Sequence, residues 1–336
     1  MTSTRSLFAS ALLVVQAIAT PTWLRNDDAT AVAASVNDVA TLGYASVAGG
    51  TTGGKGGQVV QVSTYEQLAA AASGNEPKII VITGPIMAEA KTRVGSNKSF
   101  IGKNSRAELI GNGFSIVKSK NVIIRNLKIS KVTAKNGDAV TVQASTHVWA
   151  DHLDLSSDRE HGKDFYDGLF DVTHGSDYVT LSNSHLHDHY KASLVGHSEK
   201  AAEEDTGHLH ITYANNYWTN IGSRTPSLRF GTAHIFNSLF SNVTDGINAR
   251  DGAQVLVQGN VFVGMAKPLY SVDKKGFAVA SNNRVLGQGA VGGGESKAAS
   301  LPSPGKLSSV PYKFDLMSVD QVQMSNPTRA GNTLTF

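Results

Sequence analysis

The 336-residue chain contains no cysteine. Disulfides, thiol nucleophiles and cysteine-ligated zinc are therefore excluded. The absence is informative because the chain begins like a secreted protein, and oxidising compartments usually favour disulfides. We expect its stability to come from an extended hydrophobic core, from backbone hydrogen bonds and from any metal ion that it binds.

Long hydrophobic runs are also scarce. The run from Leu7 to Ile18 follows Arg5 and ends in the small-x-small sequence Ala17-Ile18-Ala19, which is typical of a secretory signal peptide. About twelve apolar residues are too few to span a bilayer, and no later stretch is longer or more apolar. We predict a signal peptide at residues 1–19, a secreted, extracellular product and no membrane association.

An excess of charge of one sign is missing as well. The chain has 30 Lys and Arg against 27 Asp and Glu, and its formal net charge of +3 falls by one unit when Arg5 is removed with the signal. No basic run is present, so we expect no nucleic-acid partner. The glycine-rich segment Gly49 to Gly57 lacks the spacing of a phosphate-binding loop, which argues against nucleotide binding.

The remaining chain is interpreted as a leader followed by a single domain. Residues 20–57 are low in complexity and end in glycines that weaken regular elements, whereas residues 58–336 form the predicted domain. At its start, Thr64 to Ser73 has a threonine cap and good helix formers, which predicts one short N-terminal helix. After residue 290 we expect an irregular tail that packs along the domain.

Short strands recur through the domain without helical segments between them. In four successive repeats a polar residue returns every 22 positions, at Asn216, Ser238, Asn260 and Asn282. A period in the twenties is typical of a solenoid, and rungs made only of short strands predict a parallel β-helix. The asparagines fit sharp corners with left-handed backbone. The repeats are Val122 to Ser130, Val148 to Ser156, Val179 to His187, Ile211 to Trp218, Ala233 to Phe240, Val255 to Phe262 and Phe277 to Val285.

An antiparallel sandwich is the alternative fold. It needs hairpin turns every 8 to 12 residues, and such turns are sparse in this sequence. Two charged insertions, Ser157 to Tyr166 and Glu199 to Thr206, lengthen the earlier repeats. Insertions of this kind protrude from one face of a solenoid, where they commonly build the binding site.

Carboxylates cluster in one part of the predicted β-helix. Asp167 and Asp171 lie four residues apart on a strand-like segment and can project to one face. Asp138 can join them from the adjacent rung, about 4.8 Å away. Because neighbouring carboxylates repel, this arrangement favours a bound cation, and calcium accepts irregular oxygen ligands. Three solvated acids are the alternative.

Cations follow the acids along the chain. Lys191 ends the segment HLHDHYK, and Arg224 and Arg229 flank a proline-stiffened loop. Arginine and lysine at fixed positions suit an anionic ligand, although ordinary surface ion pairs are the alternative. No acidic residue lies between Asp205 and Asp245 to pair with these arginines locally.

Histidines are the other potential metal ligands. His185, His187 and His189 alternate and would share one face of a strand, but no nearby fourth ligand is evident, so packed, hydrogen-bonded histidines are the favoured interpretation over zinc. Asp151-His152 resembles an acid–base pair, yet no GxSxG motif accompanies it, and we assign it to structure.

Three segments in this order, VWADH, DGLFDVTHGSDYVTLSNSHLHDHYK and RTPSLRFG, resemble the signature segments of the pectate lyases of polysaccharide lyase family 1. The resemblance covers roughly residues 55–290. It implies an all-β, right-handed parallel β-helix with protruding loops and a calcium site on one sheet. By position, it implies that the Ca²⁺ ligands are Asp138, Asp167 and Asp171, that Lys191 and Arg229 hold substrate carboxylates, and that Arg224 abstracts the proton.

The implied reaction is calcium-dependent β-elimination of polygalacturonate, or demethylated pectin, to 4,5-unsaturated products. A water molecule assisted by Arg224 remains an alternative base. A pectin lyase acting on methylated polymer and a non-catalytic polysaccharide-binding β-helix remain alternative functions. Val140 stands where some members have a further calcium carboxylate, which leaves the metal site leaner.

Two further expectations concern the state of the protein. We expect a monomer. The sequons at Asn97 and Asn242 can carry glycans in a host that glycosylates.

Overall fold

The computed structural model describes residues 34–287 and 304–336. The predicted signal peptide, the first part of the leader and the beginning of the tail lie outside these residues.

Within these two ranges, twenty-seven strands stack into three sheets in which every neighbouring pair is parallel. The predicted parallel β-helix is thereby confirmed. Sheet 1 stacks Gln58–Val62, Lys78–Ile82, Lys98–Gly102, Lys120–Arg125, Thr146–Asp151, Asp177–Ser182, His210–Ala214, Thr232–Phe236, Gln254–Gln258 and Phe277–Ser281. Sheet 2 stacks Lys91–Val94, Gly113–Val117, Val140–Gln143, Phe170–Thr173, Leu194–Val195, Ser227–Arg229, Asp245–Arg250 and Lys267–Tyr270. Sheet 3 stacks Pro85–Met87, Glu108–Ile110, Lys128–Ser130, Asp154–Ser156, His185–Lys191, Tyr217–Ser223, Leu239–Val243, Val261–Val263 and Arg284–Leu286.

The core lies inside the coil because alternate side chains of every strand point inward. Equivalent residues of successive rungs are in register, so like stacks on like. Val122, Val148 and Val179 form one such column in sheet 1, and each is fully buried. In sheet 3 the rings of Trp218, Phe240 and Phe262 are stacked with centroids 5.7 and 4.8 Å apart. These columns supply the extended core that a chain without disulfides requires.

Seven successive rungs, from the strand Lys120–Arg125 to the strand Phe277–Ser281, turn from sheet 1 into sheet 3 at one residue with left-handed backbone. The residues with this conformation are Asn126, His152, Asn183, Asn215, Asn237, Gly259 and Asn282. Asparagine is enriched there because its side chain tolerates positive φ. The predicted corner was right at Asn282 but wrong by one residue for Asn216, Ser238 and Asn260.

The residues after those corners form a buried polar ladder. Asn216, Ser238 and Asn260 have no exposed surface, and each accepts a hydrogen bond from the backbone amide of the equivalent residue in the preceding rung, at 2.8, 3.2 and 2.9 Å. Asn283 continues the ladder by accepting from the amide of Asn260 at 2.9 Å. The 22-residue repeat therefore reflects a hydrogen-bond requirement inside the corner as well as the turn itself.

Helices are few and peripheral. The predicted N-terminal helix is present at Tyr65–Ala72, where the Thr64 side chain accepts from the amide of Gln67 at 3.3 Å. The other α-helices are Ala202–Asp205, within the second insertion, and Val319–Arg329, and the 3-10 turns are Tyr44–Ser46, Ala134–Asn136 and Glu199–Ala201. In the part of the chain that the structure describes, no helix has both the length and the apolar character needed to cross a membrane.

Residues 34–57 pack against the outer face of sheet 1. The amides of Tyr44 and Ala45 donate to the hydroxyls of Thr212 and Thr180 at 3.0 and 2.9 Å. Gly53 has a φ of +58°, and a Cβ there would lie 2.2 Å from the Ser99 hydroxyl. The glycines of this segment therefore allow a close approach between backbone and sheet.

The tail is less irregular than expected. Its helix Val319–Arg329 begins with a capping box in which the side chains of Ser318 and Gln321 each accept from the other's backbone amide. Val322 of this helix is fully buried against Leu239 and Val261. The S-x-x-Q pattern is a sequence signature of a helix start, so this helix was visible in the sequence and overlooked.

The tail runs back along the corner between sheets 1 and 3. Near its beginning the amide of Gly305 donates to the carbonyl of Ala278, and near its end that of Phe336 donates to the carbonyl of Lys103. Between these points the side-chain amide of Asn237 donates to and accepts from the tail backbone. The side-chain amide of Asn126 does the same with Leu334: it accepts from the Leu334 amide at 2.8 Å and donates to the Leu334 carbonyl at 2.9 Å. The tail thus covers the corner asparagines Asn126 and Asn237 and buries them.

Candidate active site

The predicted site residues lie on sheet 2 and on its junction with sheet 3. Asp138 precedes the strand Val140–Gln143, and Asp171 lies on the next strand of the same sheet. Lys191 ends a sheet 3 strand and is in register with Ser223, directly before Arg224. Arg229 ends the strand Ser227–Arg229 of sheet 2. The fold therefore gathers residues that are far apart in sequence onto consecutive turns.

Two of the three predicted carboxylates form a buried pair. Asp138 is 9% exposed and accepts from the amide of Gly168 at 2.9 Å and from the hydroxyl of Thr141 at 2.8 Å. Asp171 is 7% exposed and accepts from the amide of Leu194 at 3.0 Å. A Cβ on Gly168 would lie 2.5 Å from Asp171 Oδ1 and 2.7 Å from Asp138 Oδ1. Only glycine leaves room for both carboxylates at this point.

The electrostatics of this pair favour a bound cation. Burial raises the pKa of Asp171 well above its ordinary value, and the negative charge of Asp138 raises it further, against the opposing effects of the Leu194 amide and Arg224. Two buried carboxylates are unfavourable when both are ionised and unpaired. The donors are all oxygen, which is the ligand set of a hard cation. The residues present therefore fit Ca²⁺.

Asp167 stands slightly apart from this pair. Its side chain is 43% exposed and lies 3.6 Å from Lys191 Nζ. The three predicted carboxylates do not place one oxygen each within 4.8 Å of one another; among the described residues only Asp154, His185 and His187 form a group that close. The structure thus brings Asp138 and Asp171 together and leaves Asp167 beside the lysine.

Two cations near the pair, Lys191 and Arg224, differ in their contacts. Lys191 is held by Asp164 of the first insertion at 3.0 Å, which lowers the pKa of that carboxyl. Arg224 has left-handed backbone with φ of 61°, and its side chain makes no hydrogen bond or ion pair within the described ranges. Its charge acts on Asp171 and Asp164. Of these two cations, Arg224 is therefore the one whose side chain is available to a ligand in the part of the chain that the structure describes.

Arg229 is held by two contacts, although no acidic residue lies close to it in the sequence. Its Nη1 donates to the carbonyl of Gly196 at 3.0 Å, and its Nε lies 3.1 Å from Asp251 Oδ2. Burial and the adjacent Arg250 lower its pKa, while Asp251 opposes that shift. The expectation that local acidic partners are missing holds for the sequence but not for the fold, because Asp251 comes from the next rung.

Lys91 belongs to the same region and was missed by the sequence analysis. Its Nζ donates to the carbonyl of Asp138 and, at 3.1 Å, to the hydroxyl of Thr141. Burial lowers its pKa to about 8, although the three aspartates oppose the shift. Gly113 lies between the two rungs, and a Cβ there would sit 2.9 Å from the carbonyl oxygen that Lys91 reaches. In the sequence, the only indication of this contact is a small residue, Gly113, on the rung that Lys91 must cross.

His189 does not share a face with the other two histidines. Asp188 before it has φ of 49°, which turns His189 into the interior, where it is 2% exposed. Its ring bonds the carbonyl of Asp167 at 2.6 Å and the hydroxyl of Ser157. Burial lowers its pKa to about 4, so the ring is neutral and fixes the backbone that carries Asp167.

A family model described as pectate lyase matches residues 9–331. The chain belongs to the pectate lyase family. The family predicted from the three sequence segments is thereby confirmed, and with it the enzyme class, polysaccharide lyase.

Similar proteins agree with this membership. The chain is 54% identical over 301 residues to a probable pectate lyase A of Neosartorya fischeri, covering 89% of this chain and 90% of that one. It is 52% identical over 304 residues to pectate lyase A of Emericella nidulans, covering 90% and 89%. Among solved structures, a pectate lyase from Bacillus sp. N165 in complex with trigalacturonate superposes with a TM-score of 0.75 at 28% identity, covering 87% and 98%.

Proposed function

We propose that the protein is a secreted, monomeric pectate lyase that cleaves polygalacturonate by calcium-dependent β-elimination. The observation that carries the proposal is the buried pair Asp138 and Asp171, together with the nearby charge of Arg224, whose side chain has no partner among the described residues and which lies at the junction of sheets 3 and 2. Family membership and the trigalacturonate bound by the Bacillus relative support the choice of substrate. The signal-like N-terminus supports secretion.

Asp138 and Asp171 would hold the calcium ion, with Asp167 completing the ligands. When bound, the ion would withdraw charge from a uronate carboxylate and so make the neighbouring C5 proton more acidic. Lys91 remains close enough to balance part of the negative charge of the aspartates. Val140 would supply no ligand to the ion, because its apolar side chain is buried in the core.

Arg224 and Lys191 act on the sugar. Lys191 pairs with a substrate carboxylate, for which it exchanges its contact with the exposed Asp164. Arg224, or a water molecule that it holds, accepts the C5 proton. The electron pair of the C5–H bond forms the C4–C5 double bond, the C4–O bond breaks, and the departing oxygen takes a proton. Arg229, fixed by Asp251 and the carbonyl of Gly196, presents its remaining guanidinium nitrogen, Nη2, to a carboxylate.

Asn242 is the better glycosylation site of the two sequons. It is exposed at the end of a sheet 3 strand, and its amide makes only a 3.4 Å contact with Asn220. Asn97 is half-buried, and its amide donates to the carbonyl of Asn75 and accepts from Asn121. We propose that a glycan, where one is added, is carried by Asn242.

The test is an absorbance assay for the unsaturated product. Purified protein is incubated with polygalacturonate or with highly methylated pectin, with and without a chelator. We expect absorbance from polygalacturonate that disappears with the chelator and returns with calcium. No unsaturated product from either polymer would sink the lyase proposal. Chelator-resistant activity on methylated pectin would instead identify a pectin lyase.

Asp171→Asn tests the calcium site through a second property. The neutral amide removes a ligand, so we expect lyase activity to be lost. It also removes a buried charge, so the calcium-free protein should become more stable, by on the order of 1 kcal/mol. Thermal unfolding with and without calcium measures both effects. A calcium-free variant less stable than the parent would contradict the assignment of Asp171.

A further inference from the structure

A second cluster of ligand-type side chains lies on the outer face of sheet 3. Asp154 and His185 are register partners on adjacent rungs, and His187 is two residues beyond His185 on the same strand. Because side chains two apart share a face, all three project outward together. The cluster is separate from the carboxylate pair, whose ligands lie on sheet 2.

The ligand atoms converge. One atom from each of Asp154, His185 and His187 lies within 4.8 Å of the others. His187 Nε2 is 3.2 Å from Asp154 Oδ1, and His185 Nδ1 is 4.0 Å from Asp154 Oδ2. The two imidazole rings are stacked with centroids 4.1 Å apart. Two histidines and one aspartate are a common donor set for zinc with one open position.

The other ring nitrogens are already occupied. His185 Nε2 is 2.9 Å from the hydroxyl of Thr219, and His187 Nδ1 is 2.7 Å from Asp188 Oδ2. Metal-ligating histidines usually donate their second N–H to such a partner, which fixes the tautomer and the ring orientation. Here the two contacts leave His185 Nδ1 and His187 Nε2 directed at Asp154. The cluster therefore has its outer hydrogen bonds in place.

The surroundings hold the three side chains but leave access from solvent. Their side chains are 23%, 19% and 19% exposed for His185, His187 and Asp154. The ring of Tyr217 on the next rung stacks on His185 with centroids 4.7 Å apart. Gly331 of the tail passes close by, since a Cβ there would lie 3.6 Å from His185 Cβ. An ion could enter and keep a water molecule as its fourth ligand.

We propose that Asp154, His185 and His187 bind a first-row transition-metal ion, with Zn²⁺ as the best fit and water as the fourth ligand. Two imidazoles select such an ion over calcium, which prefers oxygen ligands. The site is distinct from the calcium site and takes no part in the elimination.

The protonation of the two histidines agrees with this role. Burial and the neighbouring His187 lower the pKa of His185 to about 4, so its lone pair is available at neutral pH. Burial opposes protonation of His187, but the hydrogen bonds to Asp154 and Asp188 outweigh it and leave that pKa raised. Because an imidazole binds a metal ion only when it is deprotonated, the raised pKa of His187 means that metal binding should strengthen as pH rises.

A bound ion would join two strands of sheet 3. His185 and His187 belong to the strand that ends at Lys191, and Asp154 belongs to the preceding rung. The ion would replace the contact between Asp154 and His187 by two stronger bonds across the same rungs. We expect this to raise the stability of the protein without changing its activity.

Calorimetric titration of the full chain with Zn²⁺, in excess Ca²⁺, tests the site. We expect one zinc ion per molecule, and binding at least about 10-fold weaker in His187→Ala and in Asp154→Asn. His208→Ala is the matched control, because His208 also faces an aspartate, Asp177, at 3.7 Å. Zinc binding that is equal in the parent and in His187→Ala would overturn the proposal, as would loss of binding in the control.

A second measurement needs no variant, should the substitutions impair folding. In imidazole ¹H–¹⁵N spectra of the unmodified protein, zinc should shift Nδ1 of His185 and Nε2 of His187. Both nitrogens should move together at one equivalent of zinc. Zinc-induced shifts confined to other histidines, or none at all, would refute the site.

Discussion

At the scale of single residues, the proposed active site depends on which cations remain free. Lys191 and Arg229 are each paired with an aspartate, whereas the charge of Arg224 acts on the buried Asp171 and its side chain has no partner of its own among the described residues. The three sequence segments identified Lys191, Arg224 and Arg229, since each of them lies in a contiguous motif. Lys91 was not identified, because it reaches Asp138 across an intervening rung, at Gly113, and no local sequence pattern indicates a contact between residues so far apart.

Arg224→Ala should abolish turnover and leave substrate binding largely intact. A general base contributes about 10²–10⁴-fold to the rate, so kcat should fall within that range. The decrease is measured by absorbance, and binding of galacturonate oligomers by calorimetry. Arg106→Ala is the control, because Arg106 is an exposed arginine in a turn outside the site. Undiminished activity in Arg224→Ala would show that another group takes the proton.

Asp151 of the segment VWADH illustrates a residue whose role is structural. It is 1% exposed and binds Arg125 at 2.7 Å, His152 at 2.8 Å and the hydroxyl of Ser182 at 2.7 Å. Burial raises its pKa, but His152 and Arg125 outweigh that effect and hold the pKa at about 2. The assignment of this acid–base pair to structure agrees with these contacts.

Asp151→Asn should destabilise the protein by about 1.5–3 kcal/mol at neutral pH, because it removes a charged hydrogen-bond partner of the buried Arg125 and leaves that arginine with Asp38 alone. The folded pKa lies below the unfolded value of about 4. Its stabilising contribution is therefore complete above pH 4 and is lost as pH falls through 2. Denaturant unfolding at several pH values should show a difference from the parent that narrows with acidification. Asp315→Asn, at an exposed position, should have little effect at any pH.

At the scale of elements, the rungs were predictable and their corners only approximately so. Alternating apolar residues fix which side of each strand faces the core, and this pattern survives in a single sequence. Asparagine, however, suits two adjacent positions for different reasons: the left-handed corner, as at Asn282, and the buried ladder, as at Asn260. A 22-residue repeat of asparagine cannot distinguish them. The tail helix was overlooked because the prolines around it favoured an irregular interpretation.

Substitutions can distinguish the buried ladder position from the left-handed corner position. Asn260→Ala removes hydrogen bonds to the amide of Ser238 and to the carbonyl of Ile235, at 2.9 Å each. Leaving buried partners unsatisfied costs about 1–3 kcal/mol for each group. Asn282→Ala at the exposed corner loses only the preference for positive φ, about 1 kcal/mol. Equal losses of unfolding free energy in the two variants would contradict the distinction.

At the scale of the whole molecule, the tail links distant rungs of the β-helix. Deleting residues 318–336 exposes Leu239 and Val261, which pack on Val322, and leaves the corner at Asn126 without its partner. Burial of one valine alone is worth about 1.5–3 kcal/mol, so the melting temperature should fall clearly. Met324→Ala, at an exposed position of the same helix, should not change it. Activity below the melting temperature should persist, since sheet 2 carries the site.

The course of the tail also sets an order of events during protein synthesis. Rungs can stack one on another as they leave the ribosome, because each contacts mainly its neighbours. The corner at Asn126, however, receives its partner Leu334 only when 208 further residues have been translated. Until then the side-chain oxygen of Asn126 lacks the amide partner that the tail supplies, while its side-chain nitrogen can already donate to the carbonyl of Gly102. A chain that stops before the tail would therefore leave this early corner uncovered, however well its rungs had stacked.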